Sequence, residues 1–126
     1  MKLYCAACNE VKSHRPKGVP VIKLVCNTCD LINLPVALIK SNGERHFGRE
    51  ASFIKWGESN QFKDIVKTPE IGLSCIIDPQ RGASFTWLTT PITEIIEKVS
   101  DQSSTTYRFR TENSEYTLYI YEDYIN

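Results

Sequence analysis

Apolar positions alternate with polar ones along much of this chain, and few stretches repeat with a helical period. The clearest pattern lies near the C-terminus. Tyr107-Arg108-Phe109-Arg110-Thr111 alternates cleanly, Glu112-Asn113-Ser114 supplies a turn, and Glu115–Tyr121 returns. A period of two places Tyr107 and Phe109 on one face with Arg108 and Arg110 on the other. In the returning strand Tyr116, Leu118 and Ile120 share a face, opposite Thr117, Tyr119 and Tyr121. Before this hairpin, Ile71–Ile77 and Ser84–Thr89 read as strands separated by the turn Asp78-Pro79-Gln80-Arg81-Gly82. The segment 92–99 fits a strand or a helix, and Asp101–Thr105 reads as a loop.

Earlier in the chain, Val21–Val25 alternates like a strand and Leu31–Leu34 like its return. Lys12-Ser13-His14-Arg15-Pro16-Lys17-Gly18 reads as a polar loop. Asn42-Gly43 is a strong hairpin signal. It joins Val36–Lys40 to His46–Lys55, a hairpin expected to extend the sheet of the first part. Residues 58–69 read as a linker, with one or two helical turns over Phe62–Lys67 ended by Thr68-Pro69. The expected organisation is therefore an N-terminal unit over 1–57, a linker over 58–69 and a small β-domain over 70–126. The fold class is mostly β, with α+β the variant if helices form. The second unit is expected as a small SH3-like antiparallel barrel or a curled sheet.

Four cysteines change the picture. Cys5-x2-Cys8 and Cys26-x2-Cys29 are separated by seventeen residues. Two residues between cysteines let one tight turn aim both sulfurs at a single ion, and two such turns supply a tetrahedron. Each second cysteine is followed by a polar residue, Asn9 or Asp30, as suits the exit from a tight turn. Other readings exist. Four cysteines permit three disulfide pairings, a redox CxxC needs only one pair, and four thiolates also suit iron. Cys5 lies almost at Met1 with no apolar stretch between, so the expectation is a chain without a secretory signal, in the reducing cytoplasm (a host's, if the gene is viral). There, paired CxxC motifs usually hold metal.

This knuckle, loop, strand, knuckle, strand plan over residues 1–39 resembles the zinc-ribbon family of ribosomal proteins, transcription factors and polymerase subunits. The resemblance implies Cys5, Cys8, Cys26 and Cys29 as ligands of a Zn2+ ion, and His14 as part of a basic loop of the kind some ribbons carry. The segments Leu88–Ile92 and Phe109–Tyr116 resemble meanders of short β-barrel proteins in phage and bacterial genomes, which implies no activity.

Composition narrows the function classes. An apolar share of 41% permits a compact core, and 126 residues suit one ordinary domain or two very small ones. Formal charge is zero, yet residues 1–49 carry eight Lys or Arg against three acids, and residues 50–126 carry seven against twelve. The basic part, through Lys12, His14, Arg15 and Lys17 with Arg45 and Arg49, is the candidate nucleic-acid surface. Arg108, Arg110, Tyr119 and Tyr121, with Tyr107 and Tyr124 nearby, are the candidate protein-binding group, since Tyr and Arg are enriched at hot spots.

A closed four-cysteine shell leaves no position for a reacting water, and no phosphate loop, HExxH or nucleophile–base motif appears, so no enzyme is expected. Cys75, in an apolar β-prone stretch, reads as a small buried hydrophobe. No membrane partner or small-molecule substrate is expected. The expected function is a non-enzymatic zinc-binding accessory protein associated with nucleic acid or the transcription and translation machinery. The alternative is a protein–protein adaptor or inhibitor, including one encoded by a phage, without nucleic-acid contact. Self-association through an edge strand is a third possibility.

Overall fold

The structure is a computed structural model that describes residues 2–17, 23–58, 61–78, 87–100 and 104–121, without the side chains of Lys2, Lys23 and Phe62. Among the described residues there are thirteen strands and no helix. The mostly β expectation is met. No helix of the described chain is long and apolar enough to cross a membrane.

The strands form three antiparallel sheets. The first contains β1 (Lys2–Cys5), β2 (Glu10–Lys17), β3 (Lys23–Cys26) and β4 (Ile32–Asn33), in sequence order. The second has the order β10-β9-β7-β8, with β7 at Ala51–Trp56, β8 at Phe62–Val66, β9 at Ser74–Ile77 and β10 at Trp87–Leu88. The third has the order β11-β12-β13-β5-β6, with β5 at Val36–Lys40, β6 at Arg45–Gly48, β11 at Ile92–Ser100, β12 at Ser104–Thr111 and β13 at Glu115–Tyr121.

The second and third sheets make one body around one core. Phe53 and Cys75 meet Leu38, Phe109 and Leu118 there, all fully buried. Tyr107 and Phe109 point inward, as alternation requires, and Tyr107 meets Phe53 edge-on at 6.4 Å. The sheets are joined at their corners. Ile92 donates to the Leu73 carbonyl and accepts from the Gly72 amide, both at 2.8 Å. At another corner Asp78, itself at φ 54°, accepts from the Arg49 and Glu50 amides at 2.7 and 2.9 Å. Chain direction turns sharply there between β6 and β7, and Gly48 lies against Ile77 and Asp78.

Three expectations are corrected. The Asn42-Gly43 hairpin forms, with Gly43 at φ 93°, but β5 pairs with β13 instead of extending the first sheet. Its return strand ends at Gly48, and Ala51–Trp56 crosses into the second sheet. The hydrogen-bonded body therefore spans the boundary drawn at residue 57. Phe62–Val66 is a strand paired with β7, where a short helix was expected, because sheet pairing outweighs a weak local helical pattern. The ambiguous segment 92–99 is also a strand, carrying two bulges against β12. Narrower differences concern length: Ile71 is exposed ahead of β9, and Trp87–Leu88 is the paired part of the strand expected over 84–89. Residues 84–86, the turn after Asp78 and the loop residues 101–103 lie outside the described residues.

A Cβ at Gly48 would sit 2.4 Å from Ile77 Cγ2 and 2.7 Å from Asp78 Oδ2. Ile77 is fully buried and has nowhere to move. Gly48→Ala is expected to cost about 1–3 kcal/mol through overpacking, measured by urea unfolding against the parent.

Candidate metal centre

Two turns converge at one end of the first sheet. In the first, the Asn9 amide donates to the Cys5 carbonyl at 2.8 Å and Asn9 adopts φ 62°. In the second, the Asp30 amide donates to the Cys26 carbonyl at 2.9 Å and Asp30 adopts φ 63°. Asn and Asp tolerate this left-handed conformation better than most side chains. The polar residue after each pair thus has a conformational reason. The turns repeat one design twenty-one residues apart, and β2–β3 pairing brings them together.

The four sulfurs lie within 4.8 Å of one another, a set able to hold a metal ion. Cys5 Sγ is 3.5 Å from Cys29 Sγ, and Cys8 Sγ is 3.9 Å from Cys26 Sγ. A tetrahedral ion about 2.3 Å from each sulfur sets sulfurs about 3.8 Å apart, so the donor set fits. All four cysteines are free thiols. Cys5 and Cys26 are buried and Cys29 is exposed.

Electrostatics divide the four alike in both turns. Burial pushes the Cys5 thiol up, but hydrogen bonds from the Cys8 amide, the Asn33 side chain, Cys29 and the Ala7 amide outweigh it and hold Cys5 at about 6. Cys26 is lowered in the same manner, its burial opposed by the Cys29 and Thr28 amides. Desolvation and sharing with the other three sulfurs drive Cys8 up to about 12. Cys29 is also raised: the Leu31 amide lowers it, but desolvation and its neighbours Cys5 and Cys26 prevail. Four thiolates cannot crowd together without compensating charge, which a metal ion held among them would supply.

A polar relay braces the centre. The Ala6 amide donates to Asn33 Oδ1 at 3.0 Å, so the NH2 end of Asn33 faces His14 and donates to its Nε2 at 2.9 Å. His14 Nδ1 then carries the ring proton and donates to the Lys12 carbonyl at 2.8 Å. His14 is 3% exposed, and burial lowers its pKa.

This placement corrects part of the expected nucleic-acid surface. Lys12–Lys17 belongs to strand β2, because pairing with β1 and β3 satisfies a polar segment that has no apolar period. His14 is an internal brace. Lys12 is paired with Glu10 at 2.8 Å. Arg15 binds Asp30 at 2.6 Å and Asn27 at 3.0 Å, and Arg45 binds the Ala6 carbonyl at 2.6 Å and Asn9 at 3.0 Å. Lys17 and Arg49 are exposed, and neither forms an ion pair among the described residues. Of the six, His14 is buried, and Lys12, Arg15 and Arg45 have partners within the protein.

The candidate protein-binding group is likewise redistributed. Tyr121 is buried against Leu3 and Leu24, and Tyr119 packs beside them and stacks on Tyr4 at 5.4 Å. These tyrosines join the first sheet to the body. Arg108 and Arg110 lie on the outer face, paired with Glu97, Glu94 and Glu115 at 2.9–3.6 Å. Tyr124 is outside the described residues. Cys75 is fully buried and its thiol is pushed up by burial, as a structural cysteine is. Asn33 escaped the sequence reading; its one signal was a polar residue between the apolar positions Ile32 and Leu34.

No protein family, curated protein or solved structure matches the chain.

A neutral, buried His14 makes stability pH-dependent. Its folded pKa lies below the unfolded value near 6.5, so the unfolded chain binds a proton first as pH falls. Stability is full above about 6.5 and declines below it. His14→Gln keeps a neutral donor and acceptor, and its stability between pH 7 and 5 is expected to fall less steeply than the parent's in parallel denaturant titrations.

Proposed function

We propose that this chain is a non-enzymatic accessory protein whose N-terminal sheet is stapled by a structural zinc ion and which associates with nucleic acid. The gathering of Cys5, Cys8, Cys26 and Cys29 within 4.8 Å carries the reading. Four thiolates complete a tetrahedral shell, leaving no position for a reacting water, so the ion's role is structural. The need is evident. The first sheet spans little more than thirty residues, and its buried apolar cluster is Leu3 and Leu24 with Tyr121 and Tyr119 from β13. Modules this small usually require a metal, disulfides or a partner surface.

The support for nucleic acid is narrower than the sequence suggests. Backbone register sets Lys17 opposite Lys23, at the end of β2–β3 remote from the cysteines. These positions suit phosphate contacts, which position a protein on nucleic acid without reading sequence. One observation favours the adaptor reading. Val11, Leu31 and Ile32 are exposed apolar residues of the first sheet and its second turn, with Ile32 at 53%. An aliphatic surface suits a protein partner better than phosphate.

Two measurements test these readings. Metal analysis of reduced, purified protein is expected to give one zinc per chain. Cys26→Ser is expected to lose the zinc and the exchange protection of β1–β4, since such an ion contributes on the order of 10 kcal/mol. A metal-free chain with β1–β4 intact would refute the metal reading. Affinity for duplex DNA or RNA is expected to fall with salt, with a log–log slope of about −3 for a few phosphate contacts. Lys17→Glu should flatten that slope at unchanged zinc content. Absent or salt-independent binding, together with nuclease-resistant retention of a protein partner, would select the adaptor.

A further inference from the structure

Each turn of the cysteine cluster is gripped by an arginine, but the two arginines come from different sheets. Arg15 lies on β2, within the first sheet. It reaches Asp30 Oδ1, Asn27 Oδ1 and, at 3.5 Å, the Cys26 carbonyl. Arg45 lies on β6, in the body, and reaches the corresponding parts of the other turn, the Ala6 carbonyl and Asn9 Oδ1. We propose that Arg45 is a positioning residue of the metal centre, so that metal affinity and docking of the first sheet on the body form one linked equilibrium. This rests on the reading of the four cysteines as a metal site.

One peptide unit connects Arg45 to the first turn. The Ala6 carbonyl and the Ala7 amide belong to the same peptide plane. Its oxygen accepts from the Arg45 guanidinium at 2.6 Å, and the next amide along, that of Cys8, donates to Cys5 Sγ at 3.4 Å. A charged donor on the oxygen orients that plane, and with it the turn that aims the Cys8 amide at the sulfur. The preceding peptide is fixed from the other side, where the Ala6 amide donates to Asn33. Arg45 therefore acts on the ligand through the backbone.

The second contact fixes the turn's exit. Asn9 Oδ1 accepts from both Arg45, at 3.0 Å, and the Tyr4 hydroxyl, at 2.9 Å. The Tyr4 ring in turn stacks on Tyr119 of β13 and lies 6.3 Å from Phe47 of β6. The groups that shape the first turn are thus those that dock the sheet. Leu3 and Leu24, with Tyr121, complete the junction. Whatever favours the ligating shape of Cys5-Ala6-Ala7-Cys8 favours the docked sheet, and the converse holds by linkage.

The test uses the full chain, loaded with cobalt(II) or zinc, with affinity measured by competition against a chromophoric chelator. Arg45→Ala is expected to weaken metal binding about 10–100-fold, the usual effect of removing a partner that orients a ligand. It should also shift the thiolate-to-cobalt absorption, which a purely distant structural change leaves alone. Arg45→Lys is expected to recover part of the affinity, since both contacts come from the single nitrogen Nη1, which an ammonium on a shorter side chain can partly replace. Arg49→Ala, at an exposed residue held through its backbone amide, serves as the control and should bind metal like the parent. In the reverse direction, chelating the metal from the parent should lower amide-exchange protection of β1 and of Tyr119–Tyr121 while leaving Phe53 in β7 protected. Unchanged affinity and spectrum in Arg45→Ala, or protection indifferent to chelation, would overturn the proposal while the metal site stands. A parent chain that takes up neither cobalt nor zinc would overturn the metal reading and this linkage together.

Discussion

The first sheet depends on two turns being held against each other. Cysteine spacing fixes the sulfurs within each turn, but nothing local fixes one turn to the next. That constraint comes from antiparallel pairing of β2 with β3, which places His14 opposite Cys26, and from Asn33, which links Ala6 to His14. With so few buried side chains, the sheet cannot rely on apolar burial alone. Polar contacts around the sulfurs add to it, and the Asn33–His14 bond is costly to leave unmade because both groups are buried.

The body has the opposite balance. Strand β13 is central, and both of its faces are occupied. Tyr116 and Leu118 enter the main core, while Tyr119 and Tyr121 meet the first sheet. Alternation along one strand thereby connects two hydrophobic clusters. The outer surface of β11–β12 is instead a charged ladder, in which Arg108 and Arg110 alternate with Glu94, Glu97 and Glu115. Exposed pairs of this kind add little stability, and their role fits keeping a long edge strand soluble, as the two bulges in β11 also do.

What the sequence made legible was what short-range chemistry decides. The cysteine spacing, the polar residue after each pair, the Asn42-Gly43 turn and the 107–121 hairpin each carry a local signature, and the structure has each of them. The partner of the β5–β6 hairpin carries none, because any strand with an apolar face can pair with several edges. Phe62–Val66 has a pattern too short to separate helix from strand, and pairing with β7 settles it. The charged residues misled for a different reason. Lys12, Arg15 and Arg45 look like a basic surface in one dimension, but their acceptors are a carboxylate two residues away, a second turn and a carbonyl on another sheet. Backbone carbonyls leave no trace in a sequence, so an arginine bound to one is indistinguishable from a free one.

Part of the basic excess of the first forty-nine residues lies around the two turns. A cluster in which burial and crowding already divide the thiols into lowered and raised pairs is an anionic site in waiting. Lys12 feels the Cys8 and Cys26 sulfurs, beyond its stronger bond to Glu10, and its pKa is raised accordingly. Arg15 and Arg45 hold the two turns from either side. Three of the eight basic side chains, Lys12, Arg15 and Arg45, are thus engaged around the two turns. Of the remaining cations, Lys17 and Lys23 stand opposite each other in register at the far end of β2–β3. A partner that recognised this chain electrostatically would thus meet a short patch at one end of the sheet, with the thiol cluster and its arginines at the other end committed to holding the sheet in place.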